Sequence, residues 1–493
     1  MTYLSEPSIL QLRVRIFRVA PRIWRLVVLL GIPTILAGLF ILPGARTSHA
    51  AAGKPPPNIV LFIADDLGWN DVGYHGSEIR TPTLDRMAAE GMELDSFYAF
   101  PWCSSTRAGL ETGINPALFG IRALEHKFDG NRVIPKSVAT IAEKLKAVGY
   151  KSYMIGKWHL STTFSGGPIE RGYDGAFGFL YGQIDHVTHQ NLHGQPALFR
   201  DETPIAEKGH FTDLITREAK RVIARADGPI FLNIRYSAPH YPLQAPESYI
   251  AQYADIENAD RRVYAAMVTQ MDDSIGDIIE AMKISGRIDN TVFLFFSDNG
   301  AENAWAPRNI ERYYGGRFGP YSAMGSNAPL RGEKTGVYEG GIRVPAIVYG
   351  PAFVSRQKSS QFVSVLDLMP TIMRLAGATE KLDGDGMDIS AAFRGEIIKR
   401  DVEFYWLTTS DKIPHGGGQQ DAVRIGKWKF IQTQQRFRWL PWRFEWPWKT
   451  MELYDISKDP NETNNLVDEN DEIAASLREK LNQYIETEFA RYK

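Results

Sequence analysis

The 493-residue sequence has only one cysteine, Cys103, and almost no excess charge. A single cysteine excludes an intrachain disulfide, so the fold must be stabilised by burial of apolar side chains. This length also excludes a peptide or a small disulfide-rich scaffold. The 56 basic and 58 acidic residues give a net charge of −2. This near balance gives no electrostatic reason to expect nucleic acid as a partner.

The signatures of several common enzyme classes are also missing. The sequence contains no GxxxxGKS or GxxxxGKT, no HExxH, no CxxC and no GxSxG. P-loop, zincin, thiol-redox and α/β-hydrolase chemistry therefore lack their characteristic residues. Hydrophobic residues make up 44% and charged residues 23% of the chain, which is typical of a globular protein.

The N-terminal 52 residues have the pattern of an export segment. Five arginines precede the apolar run 26–42, which is followed by Pro43, Gly44 and a stretch of small residues. This pattern predicts a signal peptide in residues 1–52, and an uncleaved membrane anchor through 26–42 is the alternative. In both cases the rest of the chain is expected in the periplasm or outside the cell. A proline-rich spacer, 53–57, separates this segment from the fold.

The rest of the chain is predicted to form an α/β domain followed by a smaller subdomain. Short apolar runs alternate with helical patterns, which is typical of a large, mostly parallel sheet sandwiched by helices. The predicted strands are 58–64, 151–155, 229–235, 291–297 and 344–349, and the predicted helices are 82–90, 138–148, 212–226, 261–284 and 367–375. After about residue 400 a series of strands and a final helix indicate a small antiparallel α+β unit. We therefore predict a catalytic domain at 58–400 and a C-terminal subdomain at 401–493.

Two segments have more than one interpretation. Residues 436–449 hold four tryptophans among Arg and Pro, a composition that fits a substrate rim, a membrane interface or aromatic packing in a hairpin loop. His186, His189 and His193 have helix-face spacing, which fits either a metal or pocket site or a solvated polar face.

Polar residues follow four of the predicted strands. Asp65 and Asp66 follow the first, Lys157 and His159 the second, His240 the third, and Asp298 and Asn299 the fourth. A single acidic residue after a strand is often only a helix cap. Ligands of parallel α/β sheets, however, bind at the carboxyl ends of strands, and four strand ends agree here.

The types of these residues indicate a hard divalent cation beside an anion. Asp65, Asp66, Asp298 and Asn299 offer only oxygen donors, which suits calcium or magnesium and argues against zinc. A set of cationic and imidazole side chains could bind a tetrahedral oxyanion on the other side of such a metal. Its members are Arg107, Lys157, Lys334, His159 and His240.

At Cys103-Ser104-Ser105-Thr106-Arg107 the chain resembles the sulfatases, in particular the arylsulfatase group of the alkaline phosphatase superfamily. The signature of that family is C-x-P-S-R or a close variant. The resemblance runs from Pro57 to about Leu466 and includes seven further segments in the right order. They are NIVLFIADDLGWNDVG at 58–73, TPTLDRMAAEGMELDSFYA at 81–99, GKWHL at 156–160, APH at 238–240, FSDNG at 296–300, LRGEKTGVYEGGIRVP at 330–345 and ELYDISKDPNETNNL at 452–466.

The resemblance implies an alkaline phosphatase-like fold and a sulfuric ester hydrolase whose Cys103 is converted to formylglycine by a maturation enzyme. It makes Asp65, Asp66, Asp298 and Asn299 ligands of a metal ion, with converted Cys103 completing the shell, and favours calcium over magnesium. The remaining residues receive catalytic roles. Arg107, Lys157 and His159 would hold the hydrated aldehyde, and His240 and Lys334 would bind the sulfate and assist the leaving oxygen.

The resemblance also suggests a mechanism. One hydroxyl of the hydrated aldehyde is expected to attack sulfur while His240 protonates the leaving alcohol. Deprotonation of the second hydroxyl would then re-form the aldehyde and expel sulfate from the same carbon, so a Cys103→Ser variant, which lacks that hydroxyl, is expected to complete at most the first step. The sequence departs from the commonest signature at Ser105 and Thr106, where that signature has Pro and Ser.

Two alternatives to an aryl or carbohydrate sulfatase stay open at the level of sequence. One is a phosphodiesterase or phosphonate monoester hydrolase of the same superfamily. The other is a noncatalytic exported binding protein in which Cys103 is not converted.

Overall fold

The computed structural model describes residues 55–123, 134–302, 324–380, 382–400, 402–410, 418–438 and 445–488. Sixteen strands are found in these ranges: β1 Asn58–Asp65, β2 Met92–Leu94, β3 Phe97–Tyr98, β4 Lys151–Lys157, β5 Gly175–Phe179, β6 Phe199–Arg200, β7 Thr203–Pro204, β8 Ile230–Pro239, β9 Thr291–Ser297, β10 Ala346–Tyr349, β11 Gln357–Ser359, β12 Val363–Ser364, β13 Phe404–Ser410, β14 Gly418–Ile425, β15 Trp428–Arg438 and β16 Glu445–Asp455. The α-helices of the same ranges are α1 Pro82–Glu90, α2 Cys103–Thr112, α3 Ile141–Ala147, α4 Phe211–Arg225, α5 Glu247–Ile250, α6 Ala259–Ile284, α7 Glu339–Ile342, α8 Leu368–Leu375 and α9 Asp471–Glu488.

Local sequence signals explain where several helices begin and end. Thr140 and Glu143 form a capping box at the start of α3, each side chain bonding the other residue's backbone N–H. Asn258 caps α6 because its side chain accepts hydrogen bonds from the backbone N–H groups of Asp260 and Arg261. Proline occupies the first turn of α1, where its missing N–H costs nothing, and Gly91 follows its last residue.

A ten-stranded mixed sheet organises the larger part of the chain. Its strand order is β11-β2-β10-β9-β1-β8-β4-β5-β6-β7. The five central strands, from β9 to β5, run parallel to one another, while β10 is antiparallel to β9. The carboxyl ends of the parallel strands therefore lie along one edge, as predicted.

Helices cover both faces of this sheet. Along β1, Ile59, Leu61 and Ile63 belong to a core cluster that includes residues of α2, α3 and α8. The alternating residues Val60 and Phe62 pack in a second cluster with α1, α4 and α6. Burial on both faces explains why the central strands read as continuous apolar runs. The predicted helix-covered, mostly parallel sheet is confirmed.

The C-terminal part forms a separate four-stranded antiparallel sheet in the order β13-β14-β15-β16. Ala474, Leu477 and Leu481 of α9 pack against Val423 and Phe430 of this sheet. The predicted small antiparallel sheet with one helix is therefore confirmed, whereas the domain boundary at residue 401 stays a prediction.

Two sequence predictions fall partly or wholly outside the described residues. The predicted signal peptide or anchor, 1–52, lies outside them. Within the described part of the chain, helices with the length and apolar character to cross a bilayer are not found. Residues 439–444 of the Trp-rich segment 436–449 also lie outside the described residues, and the residues on either side belong to β15 and β16.

Candidate active site

Two consecutive carboxylates at the end of β1 form the centre of the site. Asp65 is fully buried and Asp66 is 5% exposed. Consecutive strand residues normally face opposite sides of a sheet, but Asp66 has a left-handed backbone with φ 63°. Oxygen atoms of Asp65 and Asp66 lie within 4.8 Å of each other and of ligand atoms of Cys103 and His240. The turn at Asp66 thus gives the site two adjacent carboxylates.

The end of the neighbouring strand β9 adds two further oxygen-bearing side chains. The backbone N–H of Asp66 donates to Oδ1 of Asp298 at 3.2 Å, and Nδ2 of Asn299 donates to Oδ1 of Asp66 at 2.7 Å. Both Asp298 and Asn299 are fully buried. Oδ1 of Asn299 has no hydrogen-bond partner among the described residues. A buried acceptor without a donor is costly, and a bound cation would satisfy it.

Cys103 is the first residue of α2 and is fully buried. Its Sγ lies 3.8 Å from Oδ1 of Asp66. Burial raises the pKa of the Cys103 thiol well above its usual range, although Lys157 and Lys334 oppose this effect. An unmodified Cys103 is therefore a neutral thiol, which is a poor nucleophile.

Three buried cations balance the three carboxylates. Nζ of Lys157 donates to both oxygens of Asp65, at 2.9 and 2.6 Å, and Nζ of Lys334 donates to Oδ2 of Asp66 at 2.6 Å. Nη2 of Arg107 donates to Oδ2 of Asp298 at 2.7 Å.

The pKa values of two of these charged groups are shifted in opposite directions. Burial raises the pKa of Asp298 to about 6; the charge of Asp65 adds to this rise and Arg107 opposes it. Burial lowers the pKa of Lys334, but the negative charge of Asp66 outweighs it and holds that pKa well above its usual range.

Both predicted histidines are buried and neutral. Burial lowers the pKa of His240 to about 3; Asp66 opposes this effect, while Lys334 and Lys157 add to it. Nδ1 of His240 donates to the carbonyl oxygen of Tyr241 at 2.6 Å, so Nε2, 3.6 Å from Oδ2 of Asp66, bears the lone pair. Burial and the cations Lys157 and Arg107 also lower the pKa of His159.

Comparison with known proteins identifies the family. The model of the family described as Sulfatase matches residues 57–378. This chain belongs to the sulfatase family. A second model, described as N-sulphoglucosamine sulphohydrolase, C-terminal, matches residues 333–487 of this sulfatase.

Relatives of the sulfatase cover most of its length. Arylsulfatase J of Mus musculus is 31% identical over 90% of this chain and 78% of its own. N-acetylgalactosamine-6-sulfatase of Mus musculus is 35% identical over 77% of this chain and 72% of its own. The crystal structure of Ps i-CgsB in complex with k-i-k-neocarrahexaose is 29% identical, with a TM-score of 0.74, and the match covers 87% of this chain and 92% of that one. The protein is thus a sulfuric ester hydrolase, as the sequence indicated.

The structure brings all ten predicted site residues of the sulfatase into one buried cluster. Nine of them are linked by contacts to Asp65, Asp66 or Asp298. The tenth, His159, is 4% exposed and interacts electrostatically with Lys157, Arg107 and His240. Their individual roles stay predictions.

The histidines at 186, 189 and 193 do not share a helix face. Residues 181–198 of the sulfatase form no helix; His186 and His189 are buried whereas His193 is exposed. His186 stacks on His210 with ring centroids 5.0 Å apart. Among the described residues, they are not in a group whose ligand atoms converge on one point. The spacing is that of a helix face, but the chain between these histidines forms turns and irregular backbone.

Sequence reasoning missed Glu302, a further acidic residue at the site. It is 4% exposed, and its Oε2 lies 4.0 Å from Nζ of Lys334. Glu302 follows Asp298 by four residues in a segment without regular structure, so no periodic pattern marked it.

Proposed function

We propose that this sulfatase hydrolyses a carbohydrate sulfate ester, using a formylglycine made from Cys103 beside a calcium ion. The observation that carries the proposal is the convergence of Cys103, four oxygen-bearing side chains and three cations in one buried cluster. Such a cluster of compensated charges is expensive to bury and is typical of a functional site.

The residues present fit a calcium ion. Asp65, Asp66, Asp298 and Asn299 supply oxygen donors only, which calcium prefers, and Oδ1 of Asn299 lacks a partner among the described residues. The bound ion would supply positive charge to offset negative charge on the sulfuryl oxygens. With Glu302 the site has four buried carboxylates and three cations, so a divalent cation would change its net charge from negative to positive, which favours an anionic ester.

Each charged or imidazole side chain has a defined task in this scheme. Formylglycine supplies an oxygen nucleophile when hydrated, in place of the neutral thiol of Cys103. Arg107 and Lys157 orient the groups around residue 103 through their bonds to Asp298 and Asp65. Lys334 lies where it can bind a sulfuryl oxygen. The imidazole of His159 is neutral and can accept a proton.

His240 is suited to handle the proton of the leaving alcohol. Its Nδ1 is fixed by the carbonyl of Tyr241, which leaves Nε2 directed at the carboxylate cluster. Binding of an anionic ester adds negative charge beside the ring and raises its pKa from the low value of the free enzyme. The protonated ring can then donate from Nε2 to the departing oxygen.

The relatives support a carbohydrate ester. One is named N-acetylgalactosamine-6-sulfatase, and Ps i-CgsB was crystallised with k-i-k-neocarrahexaose. The sulfatase names also favour sulfate over the phosphodiester alternative. Two measurements test the proposal. Peptide mass across residues 101–107 should show that Cys103 has lost sulfur and two hydrogens and gained one oxygen, and hydrolysis of an aryl sulfate should be faster than that of the matching aryl phosphodiester. An intact thiol in active enzyme would overturn the proposal.

A further inference from the structure

Helix α2 presents three buried polar residues on one side. Cys103, Arg107 and Glu111 are spaced by four residues and are fully buried. Because an α-helix has 3.6 residues per turn, residues four apart lie on the same face. Cys103 and Arg107 belong to the proposed active site, and Glu111 lies one turn beyond them.

Glu111 is held by a closed ring of polar side chains. Its Oε1 accepts hydrogen bonds from Nη2 of Arg235 and, at 2.7 Å, from the hydroxyl of Tyr173. Nδ2 of Asn233 donates to that hydroxyl at 2.8 Å. Nε of Arg235 donates to Oδ1 of Asn233 at 3.1 Å, which completes the ring.

The ring replaces apolar packing on this face of the sheet. Asn233 and Arg235 lie in β8, where their partners in β1 are the apolar Leu61 and Ile63. On its other side, Arg235 pairs with Gly156 of β4. A Cβ at Gly156 would lie 1.8 Å from the carbonyl oxygen of Arg235, so the two strands approach closely at this point.

The guanidinium of Arg235 also contacts the end of β4. It lies over the ring of Trp158, with Cζ 5.0 Å from the ring centroid, and Tyr173 meets the same ring edge-on at 6.0 Å. Trp158 stands between Lys157 and His159 in the sequence. The Glu111–Arg235 pair thus joins the three elements that carry residue 103, the Lys157–His159 segment and His240.

Stability alone is a poor explanation for this ion pair. Replacing a buried ion pair by apolar side chains is often neutral or stabilising, because both charges must be desolvated. Moreover, Oε2 of Glu111 and Nη1 of Arg235 have no hydrogen-bond partner among the described residues, which adds to the cost of burial. Hydrogen bonds are directional, however, whereas hydrophobic burial is not, so the bonds of this pair constrain where α2 lies relative to β8.

We propose that Glu111 and Arg235 are positioning residues that set the position of residue 103 and Arg107 relative to the strand ends bearing Lys157, His159 and His240. This inference rests on the proposed function, because it assigns the pair to that site. A displacement of about 1 Å in a reacting group can cost about 100-fold in rate. The pair therefore acts on turnover more than on substrate binding.

Two double variants without charge at residues 111 and 235 test whether the hydrogen bonds of the pair, and not its charges, determine kcat. Glu111→Leu with Arg235→Met keeps bulk but removes every hydrogen bond of the pair. Glu111→Gln with Arg235→Gln keeps hydrogen-bonding groups without a buried charge. We expect kcat on an aryl sulfate to fall at least about tenfold in the Leu/Met variant at nearly unchanged KM, and to recover partly in the Gln/Gln variant.

A matched control accounts for lost stability. Met282 is buried near the end of α6, and α6 approaches the site near its start, where the hydroxyl of Tyr264 lies 3.4 Å from the backbone oxygen of Asp66. At 1.5 Å per residue, Met282 is about 27 Å along the helix from Tyr264. Met282→Ala should lower the melting temperature and leave kcat unchanged. A Leu/Met variant whose kcat equals that of Met282→Ala would overturn the inference.

Calcium affinity provides a readout that needs no turnover. If α2 moves, Arg107 no longer holds Asp298, so the calcium-dependent rise in melting temperature should require about tenfold more calcium in the Leu/Met variant. A fully active parent with an intact thiol at residue 103 would refute the proposed function, while the calcium comparison would still test the positioning role. Unchanged calcium affinity in that case would overturn the inference.

If the Leu/Met variant does not fold, a second variant tests the inference in its place. Tyr173→Phe removes one hydrogen bond from Glu111 and leaves the ion pair in place. A loss in kcat of about threefold or more at an unchanged melting temperature supports positioning. Parental kcat in this variant overturns it.

Discussion

Arg107 holds Asp298 by two hydrogen bonds to the same oxygen. Nε and Nη2 donate to Oδ2 at 3.0 and 2.7 Å, and Nη1 donates to the carbonyl oxygen of Lys157 at 3.0 Å. Both Arg107 and Asp298 are fully buried. One guanidinium therefore links the end of β9 to the end of β4.

We expect Arg107→Lys to lower kcat by about 100-fold or more. Lysine keeps the charge but cannot reproduce the planar fork that reaches Asp298 and the Lys157 carbonyl together. Steady-state kinetics on an aryl sulfate, with the mass of residue 103 confirmed in each preparation, would measure the loss. Parental kcat in fully converted Arg107→Lys would contradict the assigned role.

Cys103→Ser is expected to stop after at most one turnover. Serine has a single hydroxyl, whereas the hydrated aldehyde has a second one; loss of its proton would re-form the C=O bond and break the bond from that carbon to the sulfate oxygen. A burst of product no larger than one equivalent per enzyme is the expected result. Ser104→Ala is a suitable control, because the buried Oγ of Ser104 has no hydrogen-bond partner among the described residues. Repeated turnover by Cys103→Ser would count against the mechanism.

Removal of calcium should abolish activity without unfolding the protein. Each of the three aspartates of the site retains a cationic partner, so loss of the ion leaves none of them uncompensated. Calcium at 100 times its Kd should stabilise the fold by about 3 kcal/mol. Chelation followed by addition of calcium, magnesium or zinc, monitored by activity and melting temperature, tests this. Full activity in chelated protein would refute a catalytic cation.

Lys429→Met should destabilise the contact between the two sheets. Nζ of Lys429 lies 2.9 Å from Oε1 of Glu339 and 2.8 Å from Oε1 of Glu462, and all three residues are buried. Loss of the lysine breaks both buried pairs, and although Glu339 keeps Arg343 at 3.8 Å, the free energy of unfolding should fall by about 3 to 5 kcal/mol.

The control for this prediction is Lys427→Met, two residues away. The side chain of Lys427 is 48% exposed and contacts Asp455 at 2.9 Å. Its loss should therefore lower the free energy of unfolding by less than about 1 kcal/mol. Chemical denaturation of both variants gives the comparison. Equal losses would mean that Lys429 does not compensate buried charge.

Asp421→Asn should stabilise the protein at high pH. Burial raises the pKa of Asp421 to about 7, and Gln419 and Arg122 only partly oppose this effect. Because an unfolded aspartate titrates near 3.9, the folded state binds the extra proton, and stability is lost as pH rises from about 4 to 7. The free energy of unfolding of the variant should exceed that of the parent by up to about 4 kcal/mol at pH 8 and should differ little at pH 4. Denaturation curves with the same difference at both pH values would contradict this.

The strand-end residues could be predicted from the sequence because their positions follow from one rule. Parallel buried strands read as apolar runs, so Asp65, Lys157 and Asp298 were marked as the first polar side chains beyond them. Lys334 follows no predicted strand. The strand-end rule therefore does not place it, and only the structure shows its ammonium bonded to Asp66.

Other features depend on contacts between distant parts of the chain. Glu111 and Arg235 are 124 residues apart, and nothing in either local pattern indicates that they meet. The strands β6 and β7 have two residues each, too few for an alternating pattern to be recognised. The histidine spacing at 186–193 suggested a helix because periodicity alone does not distinguish a helix from a turning loop.

The left-handed backbone at Asp66 limits how this chemistry could be transferred to another protein. The turn, and not the pair of aspartates alone, allows both carboxylates to face the same buried cluster. Grafting Asp-Asp onto a regular strand would direct the two side chains to opposite sides of the sheet. A designer who copies the residues must therefore copy the irregular backbone that carries them.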